Sequence, residues 1–235
     1  FPSLALKSEK KDEFLSIFIA SFNQIIYLTI PVSALLIVLR IPMVRLVYGA
    51  SRFDWDATVE TGLTLAYFSA SVTAQSLIYL LARGFFAIKD AKTPFYVTLC
   101  SVIGNIFLSY LFILVYHLPI FSLALSFSIS SLASVVAMFV LLDKKVNLPK
   151  IEMLLTVGKI LISGIIMGIA LYVPIKLLDQ LVFDTTRTIN LFLLAGIASG
   201  IGLVSYVFFT WLLDIKEAYY IIEVVKKFRS RKTIL

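Results

Sequence analysis

Cysteine and histidine are almost missing from this chain. Each occurs once, as Cys100 and His117, which leaves no internal disulfide, no Cys/His pair, no Ser/His/Asp arrangement and no metal-ligand cluster. Charge is scarce as well: 15% of the residues are Asp, Glu, Lys or Arg, where a soluble domain carries about 25%. No Gly-rich phosphate loop or Walker signature occurs, so an ATP-driven pump would need its engine on another chain. These gaps exclude the common enzymatic chemistries, and neither a cofactor nor a metal is expected. The net charge of +7 invites a nucleic-acid partner, but the basic residues flank apolar runs instead of forming a patch, so no nucleic acid is expected.

Apolar residues are what the chain has in abundance: 60% of its 235 residues, with a mean hydropathy of +0.98. Residues 93–142 carry no formal charge at all. A helix needs about 20 residues at ~1.5 Å rise to cross ~30 Å of hydrocarbon, so that tract is two crossings turned at His117-Leu118-Pro119. The uncharged windows predict an all-α polytopic membrane protein with six helices, at about 14–39, 61–82, 93–116, 120–142, 153–178 and 188–213. The predicted organisation is a cytoplasmic loop at 1–13, four helices within 14–142, two further helices within 143–213, and a basic amphipathic tail at 214–235. Six crossings return both ends to one side. Arg40, Arg45, Arg52, Lys176 and Arg187 fall on the far side and every other Lys and Arg on the near side, which is therefore cytoplasmic. Residue 1 is Phe and no signal peptide opens the chain, so Phe1–Leu4 read as the trailing end of an earlier span in an upstream part of the same protein.

Local signals place the breaks. Thr93-Pro94 reads as an N-cap followed by proline at the first helical position, and Asn147-Leu148-Pro149 separates the fourth and fifth helices. Pro31 and Pro174 lie inside apolar runs and should kink them. The stretch 40–60 reads as a short interfacial helix and turn, with Phe53 and Trp55 suited to the headgroup layer. Within it, Arg52 and Asp54 could pair as an outer gate. The tail mixes Ile222, Val225 and Phe228 with Lys226, Lys227 and Arg229, as a helix resting on anionic membrane lipids would.

No Asp, Glu or Arg falls in the middle of a predicted span, and Lys159 can snorkel to an end. Small polar residues recur there at helical spacing: Ser69, Thr73 and Ser76 on the second helix, Ser101, Asn105 and Ser109 on the third, and Ser122, Ser126, Ser130 and Ser134 on the fourth. One explanation is hydrogen bonding that glues helices together. The other is a water-accessible cavity or cation site centred on Asn105, with the stripes of helices three and four facing each other. The last two helices each carry a GxxxG pair, Gly164 with Gly168 and Gly196 with Gly200, which suits tight pairing between them.

Three stretches, in order and spacing, resemble a known family: Phe1-Pro2-Ser3-Leu4 before a basic loop, Tyr48 to Asp54 leading to Thr61 and Tyr67, and above all the motif from Arg83 through Lys89, Asp90, Lys92 and Thr93 to Pro94. The chain resembles the carboxy-terminal part of the MurJ/MviN lipid II flippases of the multidrug/oligosaccharidyl-lipid/polysaccharide exporter superfamily, most closely up to about Leu142. The resemblance implies fourteen helices in two lobes, with these six last. It implies a bacterial inner-membrane flippase that moves an undecaprenyl-pyrophosphate-linked precursor outward by alternating access, with the final two helices forming a groove for the lipid tail. Some members are similar in having a sodium site with an Asn and, one turn on, an Asp. Asn105 fits the former, while Ser109 stands at the latter and is a weaker cation ligand, which argues against sodium coupling. Two alternatives follow: an exporter of lipid-linked polysaccharide or drugs, and a non-transporting membrane scaffold.

Overall fold

The computed structural model describes residues 11–48, 54–181 and 188–219, with side chains described except at 11–12 and 178–188. Every regular element among them is helical. In chain order they are α1 (Lys11–Val38), α2 (Arg40–Tyr48), α3 (Trp55–Ala87), α4 (Lys92–Tyr110), α5 (Ser122–Val146), α6 (Lys150–Leu181) and α7 (Thr188–Leu212). A five-residue π-helical turn, Leu111–Val115, extends α4. All of these except α2 are long and apolar enough to cross a bilayer, so the six expected crossings are present. Arg52 and Arg187 lie outside the described residues, as does the tail beyond Tyr219.

Capping explains where the helix bounds differ from the hydropathy reading. The side chain of Asp54 accepts the Trp55 N–H at 2.8 Å, and Asp56 adds an acidic group in the first turn, so α3 starts six residues before its apolar run. The stretch 40–60 is thus split between the short helix α2 and the capped start of α3. At 33 residues, or about 50 Å, α3 exceeds the hydrocarbon thickness and must tilt or project at its ends.

The turn after α3 corrects the reading of Thr93-Pro94. Asp90, not Thr93, is the capping side chain: its carboxylate accepts from the Lys92 and Thr93 amides at 3.1 Å each and from the Thr93 hydroxyl at 2.6 Å. Pro94 therefore occupies the third helical position, still within the turn whose N–H groups have no helical partner. The preceding helix closes with a double bond, Asp90 N–H to Phe85 carbonyl and Lys89 N–H to Phe86 carbonyl, with Lys89 left-handed at φ 61°. Asn147, at φ 57°, ends α5 in the same hand, where a short amide side chain is well tolerated.

α3 sits at the centre, packed on α1 and α5, while α6 bridges α1 to α7 and α4 leans almost entirely on α5. One buried core runs along the bundle, from Phe14 and Leu148 at the end that carries the basic loops to Leu171 in α6 and Ala198 in α7. Phe14, Phe18 and Phe22 stack one turn apart along α1, and Phe139 of α5 closes the row at 5.8 Å. Gly84 makes this possible, since a Cβ there would lie 3.1 Å from the Phe18 ring and 3.2 Å from Leu142.

The last two helices pair as expected, but not through the glycines of their GxxxG motifs. A Cβ on Gly164 would lie 2.5 Å from Ile30, so this glycine admits α1 instead of α7, and Gly168 faces Val38 of α1 at 4.0 Å. Gly196 and Gly200 have nothing within 4 Å. α6 and α7 do pack together, but the close approach runs through Gly202, against Leu171 at 2.5 Å. The motif spacing supplied a smooth face; the partner's side chains decided which face was used.

Candidate functional site

α4 and α5 are joined by a seam of neutral polar groups. Residues four apart share a helix face, and the Ser101, Asn105, Ser109 stripe of α4 meets the serine stripe of α5. Ser101 donates to the Ser130 carbonyl at 3.0 Å. Deeper in, Ser109 and Ser126 hydroxyls lie 2.7 Å apart and Ser126 Oγ reaches Asn105 Oδ1 at 3.0 Å, so the mid-span amide finds its partner in α5. Ser109 also approaches Asn105 Oδ1, at 3.4 Å. The short turn at 116–121 holds the two helices antiparallel, which brings these stripes into register.

The other side of α5 is stitched to α3. Gln75 Nε2 donates to Ser131 Oγ at 2.8 Å, and Ser128 donates to the Tyr67 carbonyl. A small cavity of about 120 Å³ opens where the three helices meet, lined by Gln75, Ser101, Asn105, Ser130 and Ser131. It is large enough for water, and its lining offers the two or more polar partners that a water needs. Gln75 was not singled out from the sequence because it lies off the serine and threonine stripe. The rule that picked Asn105, an amide at mid-span, would have found it, together with Asn23 of α1.

The α3 stripe does not join this seam as a unit. Ser69 and Ser76 turn back onto their own helix, at the Leu65 and Val72 carbonyls. Thr73 instead faces a largely apolar cavity between α1, α3, α5 and α6, and its buried hydroxyl is without a partner. The hydroxyl of Ser122, at the start of α5, is likewise buried and unpartnered, and Ser134 is buried at the middle of the same helix.

The motif loop forms a clasp across one end of the bundle. The Asp90 carboxylate pairs with Lys145 at the end of α5, whose ammonium also lies 5.8 Å from the Phe85 ring. The Lys145 ammonium, then the Thr93 hydroxyl and amide, hold the Asp90 carboxyl well below the usual carboxylate range. Beside it, Asp143 pairs with Lys150 and accepts the Leu148 amide at 3.1 Å, which ties α5 to α6. Arg83, Lys89 and Lys92 are exposed around this clasp. Lys159 reaches the carbonyl of Leu213 at 3.0 Å, so the end of α7 belongs to the same rim.

No group of three His, Cys, Asp or Glu side chains comes together among the described residues. The oxygens around Asn105 are neutral and already bonded to one another, a poor match for a cation that favours carboxylates. What the arrangement can do is join three apolar helices through an uncharged polar seam inside their spans.

These features define the class: a polytopic α-helical membrane protein whose central helices are joined by neutral polar seams and clasped at one end by ion pairs. Comparison with known proteins gives the family. The sequence profile described as Lipid II flippase MurJ matches residues 1–192. A probable lipid II flippase MurJ of Thermotoga maritima is 29% identical over 215 residues, covering 92% of this chain and 41% of that protein. One from Rhizobium meliloti is 36% identical over 84 residues, covering 36% of this chain and 16% of that protein. The solved structure described as "Lipid II flippase MurJ, inward closed conformation" shares the fold, with TM-score 0.66 at 23% identity over 89% of this chain and 42% of that chain. The chain belongs to the lipid II flippase MurJ family, and spans about two fifths of the length of the Thermotoga relative.

Proposed function

We propose that this chain supplies six membrane-spanning helices of a flippase that moves lipid II, the undecaprenyl-pyrophosphate-linked peptidoglycan precursor, from the inner to the outer leaflet of the bacterial cytoplasmic membrane. The family match over residues 1–192 carries this reading. In the whole transporter these helices are the last six of fourteen in two lobes, and substrate passes by alternating access. The clasp end faces the cytoplasm, where the basic excess of its loops belongs.

The neutral seam supports a transport role that does not draw on sodium at Asn105. Asn105, Ser109 and Ser126 bring three uncharged oxygens and no carboxylate, and a sodium ion would have to break the bonds they make with one another. Coupling through membrane potential or protons, at residues elsewhere in the transporter, fits this better.

Reconstitution of the flippase in proteoliposomes tests the reading, with translocated lipid II measured with and without a sodium gradient. Translocation at the same rate in both conditions is the expected result. Failure to move lipid II while a lipid-linked polysaccharide precursor is moved would transfer the chain to the exporter branch of the superfamily. Failure to move either would leave a scaffold.

A further inference from the structure

At the end of the bundle away from the clasp, α1 passes through Leu39 into α2, and two arginines of α2 meet three other helices. Arg40, Arg45, Trp55, Tyr172, Leu191 and Leu194 line a cavity of about 310 Å³ there. Arg40 spends one N–H on the Ile37 carbonyl, at 3.2 Å. Arg45 lies 4.9 Å from the centre of the Trp55 ring. A guanidinium has five N–H donors, and one stacked on a ring keeps its edge donors free. Among the described residues, neither arginine forms an ion pair with a carboxylate. Both are half-buried, so part of each guanidinium faces the cavity.

The rest of the cavity is suited to an amphiphile. Leu191 and Leu194 are buried and give it an apolar floor, while Trp55 and Tyr172 are exposed, as aromatic residues at a membrane interface commonly are. Ile37 and Val38 form a wall of this cavity and also of the apolar one, about 510 Å³, between α1, α3, α5 and α6. The two cavities thus lie on either side of the same α1 turn.

We propose that this cavity binds the phosphate of an anionic lipid head group, with the forks of Arg40 and Arg45 on the phosphate oxygens and the lipid chain over Leu191 and Leu194. Planar forked donors match phosphate two bonds at a time, and they shed water more readily than an ammonium. The site does not rest on the flippase reading, because a phospholipid and a prenyl diphosphate both satisfy its chemistry.

Trp55 is one of two tryptophans, so a Trp211→Phe background makes it the sole reporter of the site. The full chain in phosphatidylcholine nanodiscs is titrated with phosphatidylglycerol in one arm and with a prenyl diphosphate in another, following Trp55 emission. A saturable change is expected with at least one. Saturation by phosphatidylglycerol assigns the site to the surrounding leaflet, and saturation by the prenyl diphosphate alone assigns it to the transported lipid. Arg40→Gln and Arg45→Gln should each weaken the apparent affinity about tenfold, with helicity by circular dichroism unchanged. Lys176→Gln removes the same charge from an exposed position outside the cavity lining and should leave the titration alone. The proposal is overturned if neither lipid saturates the signal, if the arginine double variant titrates like the parent, or if Lys176→Gln matches Arg45→Gln.

Discussion

The hydroxyl of Tyr206 in α7 donates a 2.8 Å hydrogen bond to the main-chain carbonyl of Tyr27 in α1. That carbonyl is the one four residues before Pro31, and proline has no N–H to give it. The two rings lie 5.3 Å apart, and the Tyr27 hydroxyl in turn meets Thr210 Oγ1 at 3.3 Å. A helix in lipid can keep an internal proline when a neighbour re-satisfies the freed group, and here the neighbour is a tyrosine 179 residues later in the chain.

Tyr206→Phe should therefore lower stability by about 1 kcal/mol, read as a loss of thermal midpoint in detergent. Pro31→Ala restores a helical donor to the same carbonyl. In that background Tyr206→Phe should cost much less, and additive losses in the double variant would show that the bond is not what joins α1 to α7.

The glycines of the last two spans should separate by position. Gly164→Ala and Gly202→Ala push a methyl to 2.5 Å from Ile30 and Leu171, and each should destabilise the bundle by ~1–3 kcal/mol. Gly200→Ala meets open space and should be neutral or slightly stabilising, because alanine is the better helix former. Chemical denaturation in mixed micelles would rank the three, and equal losses would contradict the packing.

The clasp should resist acid. Lys145 and Thr93 hold the Asp90 carboxyl below its unfolded value of about 3.9, so its contribution to the folded loop is complete above that pH. It is lost only as pH falls through the lower folded value. The contribution of Asp90 to the thermal midpoint in detergent, read as the difference between the parent and Asp90→Asn, should stay constant from pH 7 to about pH 5 and shrink only at more acidic pH.

Ser109→Asp would put a carboxylate beside Asn105 Oδ1 and Ser126 Oγ. The parent should show the same thermal midpoint in sodium and choline chloride, and the variant should gain stability in sodium alone, because the added charge makes the oxygens a cation site. A sodium-dependent midpoint in the parent would reverse the reading of the seam.

The Arg83–Pro94 motif shows how far a sequence can be read. Its recurrence pointed to the family without saying why these residue types stand there. The structure supplies reasons for Gly84, which admits Phe18 and Leu142, and for Asp90, which caps α4 and clasps α5. The Lys145 contacts that close the clasp, to Asp90 and to Thr93, join residues 55 and 52 positions apart, beyond the reach of local pattern.

Hydropathy alone determined the six crossings, because a bilayer forces each span to satisfy its own backbone and to be apolar over a fixed length. Spacing alone also put Ser101, Asn105 and Ser109 on one face. Which faces meet was decided only by tertiary packing. Between helices in lipid there is little hydrophobic preference for one neighbour over another, so shape and hydrogen bonds choose. That is why Gly164 met α1, why Gln75 rather than the α3 hydroxyl stripe bonded to α5, and why Tyr206 came to complete the helix that Pro31 interrupts.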